Sequence, residues 1–407
     1  MPRHRIRRGL LVLLAVLTIL AGCLFSALRA ALPDTFYMNE GETSGEFRIA
    51  SMPWIGVRSD TEAVAQAGHT NPDTSRNVTL ALFGTIPLKT VRTVSTESRS
   101  VQVCGTPFGV KMFSDGALVV AFSDQYTALG TENPAKEAGL KLGDLIVSAG
   151  GHAVRSNEEL TQAITAAAGQ PLSIVYQRDG QQYTTTLTPV ADASTGVYRA
   201  GVWVRDSSAG IGTMTFLDPK NGTFAGLGHA ISDTDTGADI TLLSGEIVPV
   251  MITGCVSGTA GSPGELRGEF SAQAAGSVLA NDATGVYGVY TGAAAGQSCP
   301  VAQPQQIALG EAEIWTTISG ATPQRYTVRI ERVNMTSDDP NRNLLIKVTD
   351  PALLKATGGI VQGMSGSPIV QNGQLVGAVT HVLVNDPNRG YGIFATTMLE
   401  KADAIAP

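Results

Sequence analysis

Basic residues are in deficit. The chain has 28 Lys and Arg against 35 Asp and Glu, a formal charge of −7. A nucleic-acid binder needs a cationic surface to displace phosphate counterions, so that class is excluded. Cysteine is scarce: Cys23, Cys104, Cys255 and Cys299 are the whole set, and no C-x-x-C pair occurs. Neither a metal site nor a cofactor is expected from such a set. Aromatic residues make up only 6%, whereas glycine reaches 46 residues and the apolar fraction 43%. That balance favours many turns and short strands around real cores over long helical bundles. At 407 residues, two or three domains are expected.

The N-terminus carries Arg3, Arg5, Arg7 and Arg8, followed by an uncharged run over 9–28. Twenty helical residues rise about 30 Å, enough to cross a hydrocarbon core. Residues 1–31 therefore read as a membrane anchor or signal. The length of the run favours an uncleaved anchor. A cleaved signal peptide and a lipoprotein signal, from the lipobox look of Leu20-Ala21-Gly22-Cys23, are the alternatives. All three place the rest of the chain outside the cytoplasm. In that setting Cys255 and Cys299 either pair or stay as buried thiols, and both readings remain open.

Residues 32–100 read as a β-rich extracytoplasmic segment without evident chemistry. Over 101–189 the pattern changes. Strands are expected at 110–112 and 117–122 and a short helix at 134–140. Asn157 looks like the cap of a helix through 168, with Leu160 and Ile164 one turn apart, and a hairpin closes the stretch. The run Ala138-Gly139-Leu140-Lys141-Leu142-Gly143-Asp144-Leu145-Ile146, followed by Gly150-Gly151-His152, resembles a PDZ domain. The resemblance puts Pro107, Phe108, Gly109 and Val110 at its carboxylate-binding loop, where an extended peptide would add as a strand. A polar linker is expected over 189–198, then a strand-rich sandwich or barrel over 199–407.

The chemistry concentrates in Gln362-Gly363-Met364-Ser365-Gly366-Ser367-Pro368, followed by a hairpin signal at Asn372-Gly373. Glycines around a serine make a tight turn that exposes its hydroxyl, and the amides of Gly363 and Ser365 can donate to an oxyanion. The pattern resembles the nucleophile turn of chymotrypsin-like peptidases. A serine needs a base, and the chain offers His4, His69, His152, His229 and His381. His229 lies upstream of Ser365 in the same expected domain and fits as general base. For the acid, Asp350 precedes the serine by 15 residues, while Asp233, Asp235 and Asp239 follow the histidine closely; spacing does not choose among them. The Asp233-Thr234-Asp235 run lacks the further ligands of a calcium loop. His381, two residues beyond Val379 on an expected strand, is a candidate wall of the S1 pocket.

The whole chain resembles the stage IV sporulation protein B peptidases of endospore-forming bacteria. The telling stretches are Arg205-Asp206-Ser207-Ser208-Ala209-Gly210-Ile211-Gly212-Thr213-Met214-Thr215-Phe216, the block 226–237, and Gly358-Gly359-Ile360-Val361-Gln362 running into the serine turn, with Thr380-His381-Val382 and Asn385-Asp386-Pro387 after it. The resemblance implies His229 as base, Ser365 as nucleophile and Asp350 as the essential acid. It also implies a mainly β fold: an N-terminal membrane helix, a small β-rich segment, an α/β PDZ domain and a chymotrypsin-like β-barrel peptidase domain. The implied function is a membrane-associated serine endopeptidase of the forespore intermembrane space. It would cut the extracytoplasmic part of a membrane-bound regulator, freeing an intramembrane metalloprotease to activate a late sigma factor. The PDZ domain would hold the target or the chain's own segment and restrain self-cleavage. A general quality-control protease and a catalytically silent PDZ scaffold are the rival readings.

Overall fold

A computed structural model describes residues 2–40, 47–58, 75–128, 130–233, 235–237, 239–292 and 296–406; the candidate His69 lies outside them. The helix Pro2–Ala30 contains the stretch Leu11–Ala30, whose mean hydropathy of 2.7 and length suit a membrane crossing. It runs into a four-stranded sheet ordered Thr35–Asn39, Ile86–Thr96, Ser75–Leu82, Ile55–Val57, with the first pair parallel. Leu32, Phe36, Ile55, Leu80 and Leu88 fill its core, and Phe25 and Leu28 of the helix pack against them.

The helix Asn157–Ala167 and the strands Leu145–Ala149, Leu172–Arg178 and Gln181–Leu187 form the PDZ-like unit. Leu160 and Ile164 bury as the spacing requires. The cap is Ser156, not Asn157: Ser156 has extended backbone and its Oγ accepts from Glu159 N at 3.2 Å, while the Asn157 N–H already donates to Asp206 Oδ2 at 2.8 Å. The buried Asp144 carboxylate is held by Arg178 through two bonds of 2.7 Å. Instead of a loose linker, Val190–Ala191 pairs with Tyr198–Arg199 around a turn in which Asp192 Oδ1 accepts from Ser194 and Thr195. Such a side-chain-to-backbone turn needs the short polar residues that made the stretch look like a linker.

Two long strands tie this unit to the rest. Pro107–Phe122 and Val202–Leu217 run antiparallel from the pair Phe122–Val202 to the pair Pro107–Thr213. The far half of the first, from Ala117, joins the PDZ-like sheet through Ile146 and Leu145. Its near half pairs on its other edge with the strand Leu242–Val256. All four of Pro107, Phe108, Gly109 and Val110 are buried, Pro107 paired on one edge and the other three on both, and a Cβ on Gly109 would strike Val248. This corrects their expected place in a peptide-binding loop: a strand paired on both edges has no free N–H or C=O row to offer a peptide.

The first β-unit of the region after 199 adds Thr223–Gly226, Gly276–Asp282 and Gly285–Tyr290 to these strands. The second is a closed six-stranded barrel ordered Gly310–Thr316, Gln324–Val333, Leu344–Val348, Asp386–Phe394, Gln374–Leu383, Pro368–Gln371. The C-terminal helix Ala395–Ile405 presses Met398, Leu399 and Ala402 against Phe216, Ala225 and Tyr287 of the first unit and Ala378 and Ile393 of the second. Each large apolar side chain buried there contributes about 1.5–3 kcal/mol. The four cysteines are free, which settles the open choice for Cys255 and Cys299 in favour of thiols.

Candidate active site

Ser365 sits between the helix Pro351–Thr357 and the strand Pro368–Gln371 of the closed barrel. The turn is fixed by its carbonyls. Thr213 N donates to Ser365 O at 2.9 Å, Thr213 Oγ1 to Gly363 O at 2.8 Å, and Thr215 Oγ1 to Gly366 O at 2.7 Å. All three donors come from Val202–Leu217, a strand of the other β-unit. The N–H groups of Met364, Gly366 and Ser367 are bonded to Val361, Val379 and Met364. Those of Gly363 and Ser365 make no hydrogen bond among the described residues. With their neighbours occupied and these two unused, the turn presents a pair of donors to a developing oxyanion. Gly366 is required in its place: its φ is 91° and a Cβ would run into Thr213 O and the backbone of Leu227.

That contact brings the histidine loop to the serine turn. Thr223–Gly226 ends in Leu227 and Gly228, both left-handed at φ 63° and 70°, which turn the chain toward His229. A leucine in that region costs about 1–3 kcal/mol and persists only where the surroundings enforce it. Here the enforcers are Thr213 O, which accepts from Leu227 N at 3.3 Å, and the Asn281 side chain, which bonds Ile231 N, Ile231 O and Ile240 O. Arg205 completes the frame by pairing with Asp233, whose side chain is fully buried, and with Asp235 at 2.8 Å.

His229 is half-buried, with Nδ1 2.7 Å from Ala230 O. Nδ1 therefore carries the proton and Nε2 the free lone pair, the tautomer a general base needs. Burial holds its pKa below the ordinary histidine value, while the Ala230 carbonyl and the Asp239 charge oppose that shift. The ring lies 4.6 Å from that of His381, centroid to centroid. Partial desolvation where its ring meets His229, and the facing imidazole itself, hold His381 below the ordinary histidine value. Both imidazoles line a cleft of about 460 Å³ with Ile211, Asn341 and Asp239. Asp239 also lines a larger cavity, about 620 Å³, that reaches Arg178 and Leu142 of the PDZ-like unit.

Ser365 Oγ donates to Thr380 O at 2.8 Å, and among the described residues it makes no hydrogen bond to His229. His381 follows Thr380 directly, at the rim of the cleft. A register shift after Val379 leaves Val379 buried and His381 exposed, so the two do not share a face as strict alternation implied. Asp350 stands apart from the histidine. Its Oδ1 accepts from Ala352 N and Leu353 N at 2.9 and 3.0 Å, capping the helix that leads to the serine turn. The triad role implied for Asp350 is corrected accordingly: its carboxylate already serves backbone donors, and it makes no hydrogen bond to His229 among the described residues. Of the three carboxylates near the histidine, Asp239 is the one whose charge acts on it; Asp233 is committed to Arg205 and its own turn. Thr213, Thr215 and Asn281 were not singled out from sequence. The alternation Thr213-Met214-Thr215 was the available signal, because two hydroxyls two residues apart share one strand face.

The SpoIVB peptidase S55 family matches residues 196–399, half of the chain, and a PDZ domain matches 108–188. The chain belongs to the SpoIVB peptidase S55 family. Partial similarities reach a putative zinc metalloprotease of Bartonella henselae, 36% identical over 22% of this chain and 24% of that protein, and one of Vibrio cholerae, 27% identical over 30% and 27%. The chain thus spans about a quarter of the length of these curated relatives. The H-E-x-x-H signature of many zinc peptidases does not occur in its sequence. Among solved structures, the PDZ domain of an SdrC-like protein from Listeria monocytogenes aligns with 22% of this chain and 87% of its own (23% identity, TM-score 0.18). The active form of a protease from M. tuberculosis aligns with 49% and 74% (12% identity, TM-score 0.27).

Proposed function

We propose that the chain is a membrane-anchored serine endopeptidase acting outside the cytoplasm. The observation that carries this reading is the meeting of two turns from different β-units: a glycine-flanked serine with two unused amides, and a histidine whose tautomer leaves Nε2 as acceptor. In the reaction, Ser365 Oγ leaves Thr380 O, passes its proton to His229 Nε2 and attacks the scissile carbonyl. Gly363 and Ser365 amides receive the oxyanion, and the imidazolium then protonates the leaving amine. Releasing one neutral hydrogen bond costs only about 1 kcal/mol, small beside the barrier lowered. Asp350 acts through the helix it caps, and His381 borders the P1 side chain.

Family membership supports the finer reading: a sporulation signal in which the enzyme, placed between the two forespore membranes, cuts a membrane-bound regulator of an intramembrane metalloprotease. The PDZ-like unit supports regulation by the chain itself. The strand place beside Ala117–Phe122, facing Leu160 and Ile164, is filled by Val202–Arg205 of the same chain. In an endospore former, Ser365→Ala should block late sigma-factor activity in the mother cell while the protein accumulates uncut; undiminished activity would refute the signalling role. The bond from Ser365 Oγ to Thr380 O favours a second reading, a silent scaffold. Purified full chain separates the two: a scaffold cuts neither itself nor a casein substrate, whereas the peptidase cuts and loses that with Ser365→Ala.

A further inference from the structure

Three large apolar side chains crowd one tip of the N-terminal sheet, uncovered by the described residues: Phe83 is 73% exposed, Ile86 52% and Trp54 43%. The tip is a built feature. Phe83 N donates to Trp54 O at 2.7 Å, joining two strands' ends, and Phe83 is held at φ 52°, a conformation a bulky residue rarely keeps. Its position relative to the apolar helix follows from the register. Arg92 pairs with Thr35 and the strands run parallel away from the helix end, so residues before Arg92 lie back along the helix. Lys89 Nζ donates to Leu32 O, which puts Lys89 level with the helix C-terminus. Ile86 is three residues further back, about 10 Å. Phe25, which packs on the same core, lies about 8 Å inside the helix end.

We propose that this tip is a membrane wedge: Trp54, Phe83 and Ile86 enter the outer leaflet of the bilayer beside the helix. The inference rests on the anchoring reading above and adds a second contact to it. If Leu11–Ala30 crosses the hydrocarbon core, Phe25 lies about 8 Å below the acyl–headgroup boundary, within the depth to which interfacial apolar groups insert. A second contact also fixes the height and tilt of everything that follows relative to the bilayer.

The test uses full-length protein reconstituted into phosphatidylcholine–phosphatidylglycerol vesicles, with lipids brominated near the headgroup end of the acyl chain. Flotation reports anchoring, and tryptophan quenching reports the wedge. Trp203 and Trp315 lie in the long strand Val202–Leu217 and in the closed barrel, away from the tip. Wild type should float and be quenched, and Trp54→Phe should float with more than half of that quenching gone. Phe83→Ser combined with Ile86→Ser should float and shift the Trp54 emission to the red. Equal quenching of wild type and Trp54→Phe in floating vesicles overturns the wedge alone. Failure to float overturns the anchoring reading and the wedge with it.

Discussion

The serine turn and the histidine loop meet where Gly366 lies against Leu227 but are made in opposite ways. The turn around Ser365 belongs to a closed barrel, and three carbonyls are pinned by Thr213 and Thr215, so its free amides are set before any substrate arrives. The loop around His229 hangs from two left-handed residues and is held from outside by Asn281 and Arg205. The oxyanion donors are thus set by the barrel and its neighbouring strand, and the base by contacts from outside its own loop. That difference fits a site in which the nucleophile still rests on Thr380 O and the last step to competence is its release toward His229.

The largest effects should come from the two residues that do chemistry. Ser365→Ala or His229→Ala should lower kcat by about four orders of magnitude or more, with KM little changed. A loss from His229→Ala of under about tenfold would break the comparison by removing the base from the reaction. Next comes the pinning of the serine turn. Thr213→Val keeps the shape but loses the bond to Gly363 O, and should reduce kcat by about 10- to 100-fold with KM nearly constant, while Thr213→Ser restores it. Equal loss in both variants would assign Thr213 a packing role.

Asp350 sharpens the same contrast. As a cap, Asp350→Ala should lower stability by about 1 kcal/mol in denaturant titration, and Asp350→Asn, a good cap, should keep activity within about tenfold. A triad acid would respond to Asn with a loss near 10⁴-fold. The smallest effect concerns pH. Because burial lowers the His229 pKa, the acid limb of kcat/KM should fall below the ordinary value of about 6.5, with activity rising as pH rises through it. Removing the Asp239 charge, which raises that pKa, should move the limb lower still in Asp239→Asn. A limb at or above 6.5 would contradict the burial of the base.

What the sequence made legible was local. The Asn372-Gly373 hairpin, the helix with Leu160 and Ile164 inside, the long apolar run and the glycine-flanked serine all depend on neighbours within a few positions. Strand spacing over 199–407 was read as a sandwich or barrel, and the closed six-stranded barrel agrees. What stayed hidden depended on pairing across more than ninety residues. Nothing in Pro107-Phe108-Gly109-Val110 signals that Gly210–Thr213 will cover one edge and 247–249 the other. The same holds for Thr213, whose role exists only once another unit's turn lies against it. Asp350 shows the converse difficulty: an Asp before Pro351 reads equally as a cap and as an acid, and only its bonds to Ala352 N and Leu353 N separate the two.

Covalent labelling of the intact protein with a fluorophosphonate tests the central claim most directly, because only an activated hydroxyl reacts at a useful rate. The account predicts one adduct, on Ser365, absent in Ser365→Ala and formed at least about a hundredfold more slowly in His229→Ala. Labelling elsewhere, or at an unchanged rate without His229, would contradict it.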